Sequence, residues 1–287
     1  MLTREQVEFY QENGFLAVEG VFTPAEIREA RAVVEELVER SRSVTEHTDL
    51  YDLEPGHTPE TPRVRRLRTP FAAHPVFERL ARSEGLLDIV ACLLGPEIRL
   101  HGNKLNMKAA EYGSPVEWHQ DFSFYPHTND DLLAVGIALD DCLPENGGML
   151  MVPGSHRWPV LDHHQDGCFV GAIDPEREGV DLSRAVPVSV HAGGVTLHHC
   201  RTLHGSATNT SPHPRRLLLV ELAAVDAWPC LGVPDLAQFD ARIWRGRPTS
   251  RYRVKEMDIR VPFPKHERGG SIYEIQTPLR AKVFAGT

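Results

Sequence analysis

Residues 116–124 read VEWHQDFSF. In an extended chain, positions i and i+2 share one face, so His119 and Asp121 aim an imidazole and a carboxylate at one point. The segments on either side repeat this texture. Short apolar or alternating runs occupy 98–108, 132–139, 149–152, 186–190, 195–199 and 217–225. Turn clusters separate several of them, such as Pro144-Glu145-Asn146-Gly147-Gly148 and Ser211-Pro212-His213-Pro214. At least seven short strands with no helix between most of them predict an antiparallel double sheet. The expected class is mainly β with helices (α+β): a jelly roll, cupin-like, over residues 98–225.

Residues 1–97 read differently. Thr3-Arg4-Glu5-Gln6 fits a capping box and Gly14 a helix stop. Thr23-Pro24-Ala25-Glu26 starts a second helix, followed by Ile27, Ala30, Val33, Val34, Leu37 and Val38 at helical spacing. Helical patterns return at 75–82 and 84–94, while 43–70 reads mostly as loop. Residues 158–185 are polar and irregular, as expected of a lid or an insert. The spacing thus predicts one domain over 1–287, with helices before the β core and an extension over 226–287.

Composition narrows the function. The 287 residues are 41% hydrophobic with a formal net charge of −9, which does not favour nucleic acid or an anionic membrane. No apolar run approaches the roughly 20 residues of a membrane helix. Five widely spaced cysteines without a CxxC fit free thiols in a reducing cytoplasm. Partners are therefore expected to be small molecules; the oligomeric state is left open.

A lone HxD is a weak motif. A third metal ligand must come from elsewhere, and His204 in Arg201-Thr202-Leu203-His204-Gly205-Ser206 is the best candidate. Two histidines and one carboxylate leave three coordination positions open, as iron(II) oxygenases require. Zinc more often closes with sulfur or a third histidine. Arg215 follows His204 by 11 residues across a proline-rich turn, so it can enter the same cavity from the next strand and grip a dicarboxylate. Each residue has a plainer reading alone: a hydrogen-bonded pair at a sheet edge, a turn histidine, a solvated arginine like its neighbour Arg216. The four in this order are harder to explain that way.

With these residues in place, the sequence resembles the phytanoyl-CoA dioxygenase family, which includes ectoine hydroxylases. The likeness runs from ENGFLAVEGVFTPAEI through NKLNMKAAEYGSPVEWHQDFSFYPH and LDDCLPENGGMLMVPGSH to LHHCRTLHGSATNTSPHPRR. It implies a double-stranded β-helix with helices packed on one sheet. It implies Fe(II) on His119, Asp121 and His204, with 2-oxoglutarate as cosubstrate and O₂ as oxidant. Arg215 would meet the distal carboxylate of 2-oxoglutarate, assisted by Ser206. Asn106, and less securely Thr196, would be further cosubstrate contacts. The implied activity is oxidation, by default hydroxylation, of a small organic molecule with release of succinate and CO₂. No coenzyme A nucleotide site is recognisable, and Ala285-Gly286-Thr287 is not a peroxisomal address.

Candidate substrate contacts follow the HxD segment: Phe122, Tyr125 and His127, with Trp228 as a possible cap. Core packing is the plainer role for Phe122. The run Arg63-Val64-Arg65-Arg66-Leu67-Arg68 reads as a solvated strand edge, or as a contact to an acidic substrate group. Two rivals remain: a cupin-type metalloenzyme without 2-oxoglutarate, which would not need Arg215, and a non-catalytic binding module. The carboxylate at 121 disfavours a halogenase.

Overall fold

The computed structural model describes residues 1–263 and 271–284; the terminal tripeptide 285–287 lies outside them. Both long N-terminal helices begin as their caps dictate. In α1 (Arg4–Asn13), Thr3 and Gln6 exchange the two capping-box hydrogen bonds, and Gly14 ends the helix at φ 83°. In α2 (Pro24–Arg40), Thr23 and Glu26 do the same, with Pro24 in the first turn. The buried face of α2 is Ile27, Ala30, Val34 and Leu37, the stripe that helical periodicity predicts. Three more helices follow, α3 (Pro70–Ala73), α4 (Pro75–Ala81) and α5 (Glu84–Leu94).

Strands β1 (Phe15–Val18), β2 (Tyr51–Leu53), β3 (Val64–Leu67) and β4 (Ile98–Lys108) precede the HxD strand β5 (Val116–His119). Then come β6 (Leu132–Ala138), β7 (Met149–Met151), β8 (His164–Gln165), β9 (Cys168–Phe169), β10 (Val186–Val188), β11 (Val195–His199), β12 (His204–Ser206) and β13 (Arg215–Ala224). The chain continues through α6 (Leu236–Asp240), β14 (Ile243–Arg245) and α7 (Ile272–Ile275). The large sheet has the order β1-β11-β6-β13-β4-β3-β2, with β14 also on β4; the small sheet runs β10-β7-β12-β5. This is the expected jelly roll.

Period-two alternation sorts the large sheet into two faces. Leu105, Leu133, Val135, Ile137, Val195, Leu197, Leu218, Val220 and Leu222 pack outward with α2, α4 and α5 in the main apolar core. The intervening residues face the small sheet, where a smaller cluster includes Ala138, Met149, Met151, Leu217 and Leu219. The helices thus cover one face of one sheet, and the site occupies the other.

Three departures from the sequence reading have physical causes. Strands β2 and β3 lie where a loop was expected, because Asp52, fully buried, draws Arg66 and Arg68 to 2.6 Å each. Arg65 pairs with Glu274 and stacks on Tyr273. The basic run is therefore partnered inside the fold; it is neither a solvated edge nor a substrate contact. Arg216 is likewise held by Asp140 (2.7 Å) and Glu35 (3.2 Å). Residues 158–185 include the β8–β9 hairpin, and Leu161 and His163 within them bond to Gln120 beside the HxD strand. Among the described residues, no helix is long and apolar enough to cross a membrane.

Candidate metal centre

His119 is the last residue of β5, and the chain then turns into a short 3-10 helix, Asp121–Ser123. Asp121 is therefore not on a regular strand, and the i, i+2 argument does not describe how it arrives. A brace beneath the turn sets its direction. The Gln120 amide donates to Arg201 O (2.9 Å), its carbonyl accepts from Leu161 N (2.8 Å), and its backbone N–H donates to His163 Nε2 (2.8 Å). His163 is buried, which pushes it down to about 3, so it stays neutral and keeps a lone pair for that bond. On the neighbouring strand, β12 pairs with β5 so that His204 lies directly opposite His119. Their ring centroids are 4.1 Å apart.

Both imidazoles are oriented the same way. Nδ1 of His119 donates to Glu117 O at 2.8 Å, and Nδ1 of His204 to Thr202 O at 2.9 Å. A carbonyl can only accept, so Nδ1 carries the proton and Nε2 presents a bare lone pair. Nε2 of His119 lies 3.6 Å from Asp121 Oδ1, and Nε2 of His204 lies 3.9 Å from it. Ligand atoms of the three residues all fall within 4.8 Å of one another. Burial, then repulsion from His119 and His198, hold His204 well below its ordinary value. Burial opposes ionisation of Asp121, but the adjoining His119 imidazole and the hydrogen bond from His198 outweigh it and hold the carboxyl well below the usual range. Two neutral nitrogens and one carboxylate oxygen are a donor set suited to iron(II).

His198 was not singled out from the sequence. Its Nε2 lies 3.2 Å from Asp121 Oδ2, and it occupies the oxygen that faces away from the two ligand histidines. A signal existed: His198 is two residues from Thr196 on β11 and must share its inward face.

A cavity of about 50 Å³ opens beside the three residues. Its wall includes Asn106, Ser206 and Arg215, as expected, and also Lys104, His198 and Glu221. Arg215 is buried; its Nη2 donates to Gly147 O at 3.2 Å and its Nε has no partner among the described residues. Asn106 Oδ1 is buried and unpartnered as well. Unmade hydrogen bonds of buried groups are costly, and here they face the space where a cosubstrate would sit. Thr196 faces the same way, but its unpartnered hydroxyl abuts Gly136 and is not part of the cavity wall.

The proposed substrate contacts separate. Phe122 is fully buried among Leu132, Cys200, Ala223 and Ala227, so packing is its role. Trp228 stacks against Phe239 and Tyr252, away from the cavity. His127 and Tyr125 line a second cavity of about 290 Å³ with His101, Phe239 and Arg242. Burial pushes the Tyr125 hydroxyl up, and the charges of Asp121 and Glu221 push it further. Tyr125 thus lines the second cavity and is not on the wall of the first.

A model of the phytanoyl-CoA dioxygenase family matches residues 10–217. A probable alpha-ketoglutarate-dependent hypophosphite dioxygenase from Stutzerimonas stutzeri is 37% identical over 284 residues, covering 98% of this chain and 99% of the relative. A crystal structure of EctD from S. alaskensis with 2-oxoglutarate and 5-hydroxyectoine matches with a TM-score of 0.68 at 25% identity, covering 88% of this chain and 87% of that one. The non-heme alpha-ketoglutarate-dependent carbocyclase SnoK gives a TM-score of 0.62 at 26% identity, over 87% and 94% of the two chains.

Proposed function

This chain belongs to the phytanoyl-CoA dioxygenase family, and from that premise we propose residue roles and a substrate class. It is an iron(II)- and 2-oxoglutarate-dependent dioxygenase that acts on a small molecule. In our reading His119, Asp121 and His204 hold the iron. Arg215 and Ser206 hold the distal carboxylate of 2-oxoglutarate, and Asn106 contacts it further along. The substrate is compact, and hypophosphite, named for the Stutzerimonas relative, is the first compound to test.

The observation that supports this most is the convergence of three ligand atoms within 4.8 Å. When bound, iron(II) and 2-oxoglutarate supply the oxidant: O₂ is consumed, 2-oxoglutarate leaves as succinate and CO₂, and R–H becomes R–OH. The chain's residues do the rest. The two carbonyl-anchored imidazoles present preformed lone pairs. His198, by occupying Asp121 Oδ2, leaves one carboxylate oxygen for the metal and keeps other positions open. Val116, Met149, Leu217 and Leu219 form an apolar wall that excludes water. Lys104 and Glu221 give the cavity a charged end away from Arg215, which suits a compact polar substrate and not an acyl chain.

In this reading the chain acts as one domain, and the extension beyond residue 226 contributes Ile272 to the cavity wall. A cytoplasmic setting is supported by five free thiols.

The test is anaerobic titration with iron(II) and 2-oxoglutarate, followed by succinate release with hypophosphite and with ectoine. We expect a metal-to-ligand charge-transfer band that fails to form in His204→Ala. Substrate-stimulated succinate is expected with hypophosphite. No band in the parent protein would end the assignment of the site.

A further inference from the structure

The antiparallel pair β4–β13 carries polar groups at both ends of its inner face. Arg215 lies opposite Lys108 and Leu217 opposite Asn106; further along, Leu219 lies opposite Lys104 and Glu221 opposite Gly102. Lys104 is four residues from Lys108, about 13 Å along the strand. It therefore sits at the other end of the cavity from Arg215. His198 belongs to this second end, because His198 pairs with Ala134 and Ala134 with Glu221. The ligand Asp121 is close enough for its charge to act on Lys104.

Nothing in the binding of iron or 2-oxoglutarate calls for a cation there. Lys104 Nζ donates to Glu221 Oε1 at 2.8 Å. An ammonium has three donors, and the other two have no partner among the described residues. Glu221 is seated against Gly102, where a Cβ would come within 2.5 Å of its Oε2. The lysine is thus fixed by one hydrogen bond and lines the cavity with the rest of its donor capacity. Partial burial opposes its charge, and Glu221 and then Asp121 outweigh it, so the ammonium stays charged.

We infer that Lys104, positioned by Glu221, is the substrate-recognising residue and that the substrate is a compact oxyanion. This rests on the reading of the metal and cosubstrate sites above. A cation held by one carboxylate, with two donors to spare, binds an oxyanion by charge-assisted hydrogen bonds. The two ends then divide the work: Arg215 selects the dicarboxylate cosubstrate and Lys104 the substrate, with the metal ligands lining the same cavity.

The experiment uses the full chain loaded anaerobically with iron(II) and 2-oxoglutarate. Sodium hypophosphite, sodium phosphite and ectoine are titrated in, and the shift of the charge-transfer band is read. Hypophosphite and phosphite are expected to shift it, and neutralising the cation in Lys104→Met should weaken both by about ten- to a hundredfold. The 2-oxoglutarate Kd should stay within about twofold in the same variant, because Arg215 is at the other end. Glu221→Gln removes a negative charge beside the anion and should tighten oxyanion binding, a result that a purely structural ion pair would not give. It also serves as the second variant if Lys104→Met folds poorly. Unchanged oxyanion affinity in Lys104→Met, or preference for ectoine over both oxyanions, overturns the inference. A band that forms but ignores every oxyanion overturns it and leaves the cofactor reading standing, whereas absence of the band in the parent protein removes both.

Discussion

Replacing Arg215 with methionine tests the cosubstrate site through stability as well as binding. Arg215 is 3% exposed, and its only hydrogen bond among the described residues goes to Gly147 O at 3.2 Å. Beside it Lys108 is fully buried and gives its ammonium to the carbonyls of Ser206 (3.3 Å) and Ala207. Among the described residues neither cation has a carboxylate in ion-pair contact. Burial and the Arg215 charge together hold Lys108 well below its ordinary value. A buried ion without a counter-ion costs several kcal/mol, and apolar replacement of such groups is often stabilising by about 1–4 kcal/mol. The cosubstrate-free Arg215→Met protein should therefore melt higher, by about 2–4 °C for each kcal/mol in a chain of this size. Binding should move the opposite way. Two charge-assisted hydrogen bonds at about 1.5–3 kcal/mol each amount to about 3–6 kcal/mol, or two to four powers of ten in Kd. Scanning calorimetry without ligand and anaerobic titration with 2-oxoglutarate measure the two effects. A variant that melts several degrees lower, or binds 2-oxoglutarate within about fivefold of the parent, would refute the argument.

Three further outcomes are expected. His198→Phe keeps the ring but removes the hydrogen bond to Asp121 Oδ2; iron affinity should fall about tenfold to a hundredfold, with 2-oxoglutarate binding retained at saturating metal, and an unchanged iron Kd would show that His198 only fills space. His127 and His163 are held at about 3 by burial, while an unfolded histidine titrates near 6.5. Both states are neutral above that pH, so nothing is lost there. Below it the unfolded chain gains protons that the fold refuses, and the metal-free protein should lose about 2 kcal/mol for the pair between pH 6.5 and 5.5; urea unfolding that gives equal stabilities at both would contradict this. Gly136→Ala would set a Cβ 2.6 Å from Thr196 Oγ1 and 3.1 Å from Leu217, costing about 1–3 kcal/mol by overpacking, and a melting temperature equal to the parent's would show that the two strands can part.

Much of the architecture is legible in local chemistry. The caps at Thr3 and Thr23 announce their helices, and alternation through 98–108 and 217–225 announces the central strands. The ligand types at 119, 121 and 204 can be read as well, though the route to Asp121 cannot: a continuous strand through 116–124 and the observed turn after His119 place the same residues together by different means. The strand His204–Ser206 is too short and too polar to register as a strand, and its pairing with β5 is bulged. Strands β2 and β3 form around the buried Asp52 and its two arginines, with Tyr51, Leu53, Val64 and Leu67 in the apolar core; at three and four residues they are too short for a period to register. Lys104 and Glu221 look like ordinary solvent-facing strand positions until one knows that the face they occupy encloses a cavity.

That last difficulty follows from how the fold divides its labour. The inner face of the large sheet carries Lys104, Asn106, Thr196, His198, Arg215 and Glu221, and several of their polar atoms have no partner among the described residues. Such a face contributes little to stability and some of it opposes folding. The opposite face of the same strands is almost wholly aliphatic and is sealed by α2, α4 and α5. Each large side chain buried there contributes about 1.5–3 kcal/mol. The helices are therefore what allows the jelly roll to keep a polar interior: they move the principal core to the outside of the sheet. A residue on an odd position of β13, such as Leu219 or Glu221, can then change with the substrate, while the even positions 218, 220 and 222 stay bound to the helices.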